Sequence, residues 1–394
     1  MKRIILFLSV VLTGSSFQSL RAQNQTGQTT KTYHIAIFAP LYLDSVFSNS
    51  QINFSGSIPK FIMPAVEFVQ GVHIALDTLP GNGNAVTATI YDSKSTIQPI
   101  PWLIRYQQLD NADLIIGAVK DPDYHDLAAF ALEKRIPFVS ATYPNDGGIT
   151  DNPYVIIVNS TLKANCEAIF SYILQKHGTD KVYLVKRKGD DRIDNYFRSI
   201  NYTDGKPLLN IKTIMIDSTI STYGLINRID TSRTAVIIGG NLDEDFAKNL
   251  ADACYPIQKK HPLILLGMPN WEGFKSLYRK DLYSDFPIRY TTPYYDDKSS
   301  AADSLLQKRY FQLYRAHPSD MAYKGFNIAW YFTSLLLNYP GEIMSHLDEE
   351  NLATFHGYNF RPVFNSKPGK TPDYYENKHL YIMEILNGDI VREW

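Results

Sequence analysis

From His34 onward the chain alternates short apolar runs with amphipathic stretches, the pattern of parallel strands joined by crossing helices. Residues 34–40 read as a strand, followed by a long polar loop to about Phe61. Over residues 67–79, Val69, Val72, Ala75, Leu76 and Leu79 recur on one helical face. Residues 88–91, 113–119 and 136–140 read as strands, with helices over 101–109 and 122–134. These make four β units in right-handed, doubly wound order.

A turn-rich segment at 143–152 interrupts the rhythm, and a second series begins. Thr161 or Ser160 caps a helix running to His177, with Gly178 at its C′ position. Strands are expected at 181–186, 211–216, 234–238 and 262–266, and helices at 191–200, 222–229 and 244–255. The two halves are built alike, so the chain reads as two similar α/β lobes. Residues 299–317 and 320–337 then read as successive helices, the second burying Ala322, Phe326, Ala329, Tyr331 or Phe332, and Leu335. Short β pieces follow, and Asn387-Gly388 has the chemistry of a type I′ hairpin turn.

Composition narrows the class. The 394 residues suffice for two ordinary domains, and 44% hydrophobic with 20% charged residues is a globular balance. With 39 basic against 40 acidic residues, no net field draws the chain to nucleic acid. Lys186-Arg187-Lys188 reads as the solvated end of a strand rather than a phosphate track.

Met1-Lys2-Arg3, the apolar run 4–12 and a polar stretch ending at Ala22 form a signal peptide over residues 1–22, with cleavage expected near Ala22. The run is shorter than the roughly 20 apolar residues a bilayer demands. No Cys follows it to carry a lipid, so no membrane anchor is expected. Residues 23–32, rich in Gln and Thr, read as a flexible leader, and the mature protein is expected in the periplasm or secreted. Export permits a disulfide, but Cys166 and Cys254 sit in apolar-periodic helices and read as two buried free thiols.

Catalytic motifs are missing: there is no GxGxxG after the first strand, no GxxxxGK[ST], no HExxH and no GxSxG. The nine His are scattered without metal-ligand spacing. No catalytic residue, metal or cofactor is expected.

Five ordered stretches carry a resemblance to a known family. They are Ile35-Ala36-Ile37-Phe38-Ala39-Pro40 with Glu67-Phe68-Val69-Gln70-Gly71; Tyr91-Asp92-Ser93-Lys94-Ser95; Leu114-Ile115-Ile116-Gly117-Ala118; Ile136 to Thr142; and Lys324-Gly325-Phe326-Asn327-Ile328-Ala329 with Gly357-Tyr358-Asn359-Phe360. Together they resemble the type I periplasmic solute-binding proteins of the leucine/isoleucine/valine-binding kind. The resemblance implies two doubly wound Rossmann-like lobes with interleaved connectivity and a ligand cleft between them. Lobe one would combine residues 32–150 with 296–345, and lobe two 151–295 with 346–394. It also implies a small-molecule solute as partner, an ABC permease or an envelope protein as a further one, and a monomer.

Candidate ligand contacts follow from the strand ends. The family's Ser-Ala-x-Thr place is taken by Ser140-Ala141-Thr142, next to Tyr143; these hydroxyls could meet a ligand or cap the following turn. Amino-acid binders of the family carry a Ser-rich turn after the Ile-Ile-Gly strand, whereas this chain has Ala118-Val119-Lys120-Asp121-Pro122. Lys120 is the candidate anion partner there, or a solvated loop lysine. Asn241, Asn270 and Trp271 end strands of lobe two, Trp271 either stacking on a ligand or sealing the core edge. Tyr294 would form an aromatic wall or pack the hinge. The expected function is capture of a small polar solute for a transporter or sensor. The alternative is an interaction module of the same fold that regulates cell-envelope enzymes.

Overall fold

The computed structural model describes residues 31–48, 51–53, 58–79, 85–203, 205–296, 298–355, 357–365 and 371–394. The expected signal peptide and all but the last two residues of the expected leader lie outside them. Among the described residues, no helix is long and apolar enough to cross a membrane.

The apolar runs pair into two seven-stranded sheets. In lobe one, the first five strands are Thr32–Ala39, Ala85–Asp92, Leu114–Gly117, Phe138–Ser140 and Val155–Ile157. In lobe two they are Lys181–Arg187, Ile211–Ile216, Ala235–Gly239, Leu263–Leu266 and Ile288–Thr292. Both sheets run second, first, third, fourth, fifth, all parallel, so the two halves are wound alike. Helices cover both faces, which is why the third strands, Leu-Ile-Ile-Gly and Ala-Val-Ile-Ile-Gly, are buried at every position.

The sheets finish differently. Lobe one adds Tyr374–Asn377, parallel to the fifth strand, and then Phe360–Val363, antiparallel. Lobe two adds the antiparallel hairpin Tyr381–Leu386 and Asp389–Arg392. Asn387 and Gly388 turn that hairpin with φ of 55° and 85°, the left-handed pair a type I′ turn requires.

This completion corrects the expected lobe boundaries. Residues 155–157, 360–363 and 374–377 belong to the first sheet, not to lobe two. The chain therefore crosses after Ile157, after Thr292 and after Asn377. A three- or four-residue apolar run has no internal sign of which sheet it will join; pairing of Tyr375 with Ile156 decides it.

The helices Met63–Thr78 and Asp320–Asn338 cross at Gly71 and Gly325. A Cβ on Gly71 would lie 1.9 Å from the Ala322 carbonyl oxygen, and one on Gly325 2.0 Å from that of Phe68. Glycine is the one residue that permits this approach, and it fixes the second helix over the cleft. Gly178 does not form the expected left-handed cap, its φ being −59°. Cys166 and Cys254 are both free and buried.

Candidate ligand-binding site

A cavity of about 630 Å³ lies between the lobes, lined mainly by segments that leave the fourth and fifth strands of both sheets, with Arg192, Tyr196 and Ser199 after the first strand of lobe two and Leu242 after its third. Lobe one supplies Pro144, Asn145 and Asp146 after its fourth strand and Asn159 to Thr161 after its fifth. Lobe two supplies Pro269, Asn270 and Glu272 after its fourth strand and Thr291 to Tyr294 after its fifth. The carboxyl ends of parallel strands are where open α/β sheets leave room for a ligand.

One wall is a helix start. Thr161 caps Leu162–His177, its hydroxyl accepting from the Ala164 N–H at 3.3 Å, and the first turn lines the cavity. The positive end of that helix therefore joins Lys163 and Arg192 on the same side. The crossover beneath is fixed by buried polar bonds. Ser160 Oγ donates to the Asn377 carbonyl at 2.6 Å, and the Thr161 N–H donates to Glu376 at 2.7 Å. Lys378 pairs with Glu376 at 2.6 Å and Glu167 at 2.8 Å. Two of the three crossovers are thus tied to each other.

Lys324 reaches in from the Asp320–Asn338 helix of lobe one, its Nζ 4.1 Å from the centre of the Tyr294 ring. Among the described residues it has no hydrogen bond or ion pair. Burial pulls its pKa below the ordinary lysine value, only partly offset by Glu272 and Asp320. Glu272 of lobe two keeps solvent contact within the cleft, yet the surrounding walls raise its carboxyl above the usual value against the pull of Lys324. Two opposite charges from opposite lobes thus face one cavity without closing on each other.

No family model matches the chain, and no curated protein matches it in sequence. Solved structures do match. A putative branched-chain amino acid ABC transporter protein from Rhodospirillum rubrum aligns with a TM-score of 0.64 at 12% identity, over 92% of this chain and 100% of that one. The periplasmic ligand-binding protein of a branched-chain amino acid ABC transporter from Burkholderia xenovorans aligns at 0.58 and 14%, over 89% of each chain. An ABC transporter substrate-binding protein from Sphaerobacter thermophilus aligns at 0.53 and 14%, over 92% and 96%. The fold is that of the type I periplasmic solute-binding proteins. At such identities the likeness is one of fold.

Within this fold, the nine expected contacts separate sharply. Asn270 and Tyr294 line the cavity, Asn270 donating to the Leu242 carbonyl at 2.6 Å and Tyr294 to that of Ala141 at 3.1 Å. Ala141 is buried and meets the site only through that bond. Ser140 is fully buried, its Oγ without a partner among the described residues, because the pleat turns it into the lobe. Thr142 gives its carbonyl to Asn159, 2.8 Å away, and does not line the cavity. Tyr143 turns the other way to donate to Asp121 at 2.7 Å.

Lys120, Asn241 and Trp271 lie outside the lining, each for a different reason. Lys120 is exposed and outside the lining. Asn241 is spent locally, donating to Asp190 at 2.8 Å and accepting from the Asp243 N–H at 2.8 Å. Trp271 is fully buried, its indole N–H bonded to the Asn241 carbonyl at 3.1 Å. Its ring fills the space over Gly239 and Gly267, where a Cβ would come within 2.5 Å and 2.1 Å of it. Trp271 covers the third-strand end of lobe two at Gly239, and of the loop that follows only Leu242 reaches the cavity.

Sequence reasoning passed over Asn159, Thr161, Arg192, Glu272 and Lys324. Thr161 was read as a cap, and that capping position itself points into the cleft. Lys324 stands in the second turn of its helix, where residue type and spacing alone do not mark it as a cleft residue.

Proposed function

We propose that this chain is an extracytoplasmic solute-binding protein that captures a small polar solute by lobe closure and presents it to an ABC-class transporter or a sensor. The observation that carries the reading is the pair Lys324 and Glu272, unpaired charges from opposite lobes facing one cavity of about 630 Å³. A solute with complementary groups would satisfy both and draw the lobes together, without any bond being made or broken. The names borne by solved structures of the same fold support this reading.

The test is a thermal-shift screen of the mature protein with amino acids, amides, short peptides and nucleosides. A solute at a hundredfold excess over its Kd should stabilise the protein by about 2.7 kcal/mol, enough to raise Tm by a few degrees. Lys324→Met, at the same solute concentration, should cut that stabilisation to about half or less. A screen in which nothing raises Tm would sink the reading.

The interaction-module alternative rests on a different observation. Phe47 and Ile52 pair in a small hairpin of lobe one and remain 44% and 59% exposed, while Phe61 is 64% exposed and edges against Tyr42. A silent screen, together with loss of cell function in a Phe47→Ser/Phe61→Ser variant, would favour it.

A further inference from the structure

A second cavity of about 280 Å³ adjoins the first, and Glu272, Thr292, Tyr294 and Lys324 line both. Of its other lining residues Asp296, Lys298 and Asp320 are charged, and most of the rest are aromatic. Tyr290, Tyr294, Tyr295, Tyr323, Phe355 and Met383 line it. Two of the hydroxyls are engaged elsewhere, Tyr294 with the Ala141 carbonyl at 3.1 Å and Tyr323 with Asp303. Phe355 stands edge-on to Tyr323 at 5.2 Å, and Tyr295 is tilted against Tyr381 at 5.4 Å. The chamber therefore offers ring faces and edges, with Lys324 and Glu272 shared with the main cavity and Asp296, Lys298 and Asp320 as further charged groups in its lining.

The volume is informative. A benzene-sized ring is held by an apolar cavity of about 150 Å³. The chamber exceeds that, and its walls favour offset or edge-on stacking of a planar guest. Its position relative to the main cavity also matters. A solute whose polar group sits between Lys324 and Glu272 has one direction in which a bulky substituent meets aromatic walls.

We propose that the chamber is a subsite for an aromatic ring, so that the solute taken by this protein is a ring-bearing polar compound whose head group lies at Lys324 and Glu272. The assignment rests on the solute-binding reading above and narrows its substrate class. Ile390 provides the handle for a test. It lines the chamber from the edge strand Asp389–Arg392 and is 49% exposed, so a larger side chain there can fill the space without disturbing the core.

The experiment compares matched pairs that share a head group and differ by a ring: alanine and phenylalanine, acetate and benzoate, ethylamine and benzylamine. Isothermal titration of the mature protein should give the ring-bearing member of at least one pair an affinity higher by about tenfold or more. Ile390→Trp, with its denaturation midpoint unchanged, should erase that preference and leave the ringless partner's Kd within about twofold. Phe355→Ala should weaken the ring-bearing member alone. Equal affinities within every pair that binds overturn the subsite while the solute-binding reading stands. A ring preference that persists in Ile390→Trp and Phe355→Ala also overturns it. If no member of any pair binds, the subsite falls, and the thermal-shift screen decides the solute-binding reading separately.

Discussion

In both lobes the third and fourth strands end in small residues followed by a polar loop, yet the two kinds of end differ in what they leave open. The third-strand ends are closed. In lobe two the Trp271 indole lies over Gly239, and Asn241 spends its amide on Asp190 and the Asp243 N–H. In lobe one Ala118 and Val119 are buried, and Asp121 is taken by Tyr143. The fourth- and fifth-strand ends are open, and their loops line the cavity. The switch point of a doubly wound sheet lies beside the third strand, so that is where a ligand is expected first. In lobe two a single aromatic side chain fills the space over Gly239, and most of the lining comes from the fourth- and fifth-strand ends instead.

Four variants test the contrast, beginning with the largest effect. Trp271→Ala removes the plug and should cost about 3–5 kcal/mol in denaturant unfolding. A loss below about 1 kcal/mol would show that the indole does not fill the core.

Lys324→Met comes next. Solute affinity should fall by about tenfold or more, equivalent to about 1.4 kcal/mol. Stability should rise at neutral pH, because a partly buried charge without a hydrogen-bonded partner is removed. The pH dependence gives a separate signature. Burial lowers the folded-state pKa of Lys324 below its unfolded value of 10.5, so the unfolded chain holds the proton longer. Wild-type stability therefore gains a contribution as pH rises between the lowered pKa and 10.5, and the difference curve against Lys324→Met should show it. A flat difference curve would mean that the ammonium is well solvated.

Asn241→Ala should cost about 1 kcal/mol through its two local bonds and leave solute binding intact. Lys120→Ala should change neither stability by more than about 0.5 kcal/mol nor affinity by more than about twofold. A clear affinity loss there would restore the third-strand end as part of the site.

Much of the fold was legible because periodicity is a local property. The alternation of apolar runs and amphipathic stretches gave the first four strands of each series and their helices within a few residues but not the fifth strands, 155–157 and 288–292, and Asn387-Gly388 marked its hairpin correctly. The site was less legible. Tyr294 and Asn270 were reachable from their place after a strand, but Ser140 was not separable from a ligand contact, since the pleat that buries it is set by neighbouring strands. Glu272 and Lys324 are 52 positions apart and belong to different lobes. Nothing local links them.

By itself, then, the sequence determined the alternation of elements, the doubling of the α/β unit and the lack of catalytic motifs, because each follows from residue type and spacing along one stretch of chain. Tertiary structure alone decided which sheet takes the short strands 155–157, 360–363 and 374–377, and which strand ends stay open. Strand pairing and void filling are settled by segments distant in the chain: Tyr375 opposite Ile156, Trp271 over Gly239 and Lys324 against Tyr294. A cleft is the space that packing leaves unfilled, and that space has no residue of its own in the sequence.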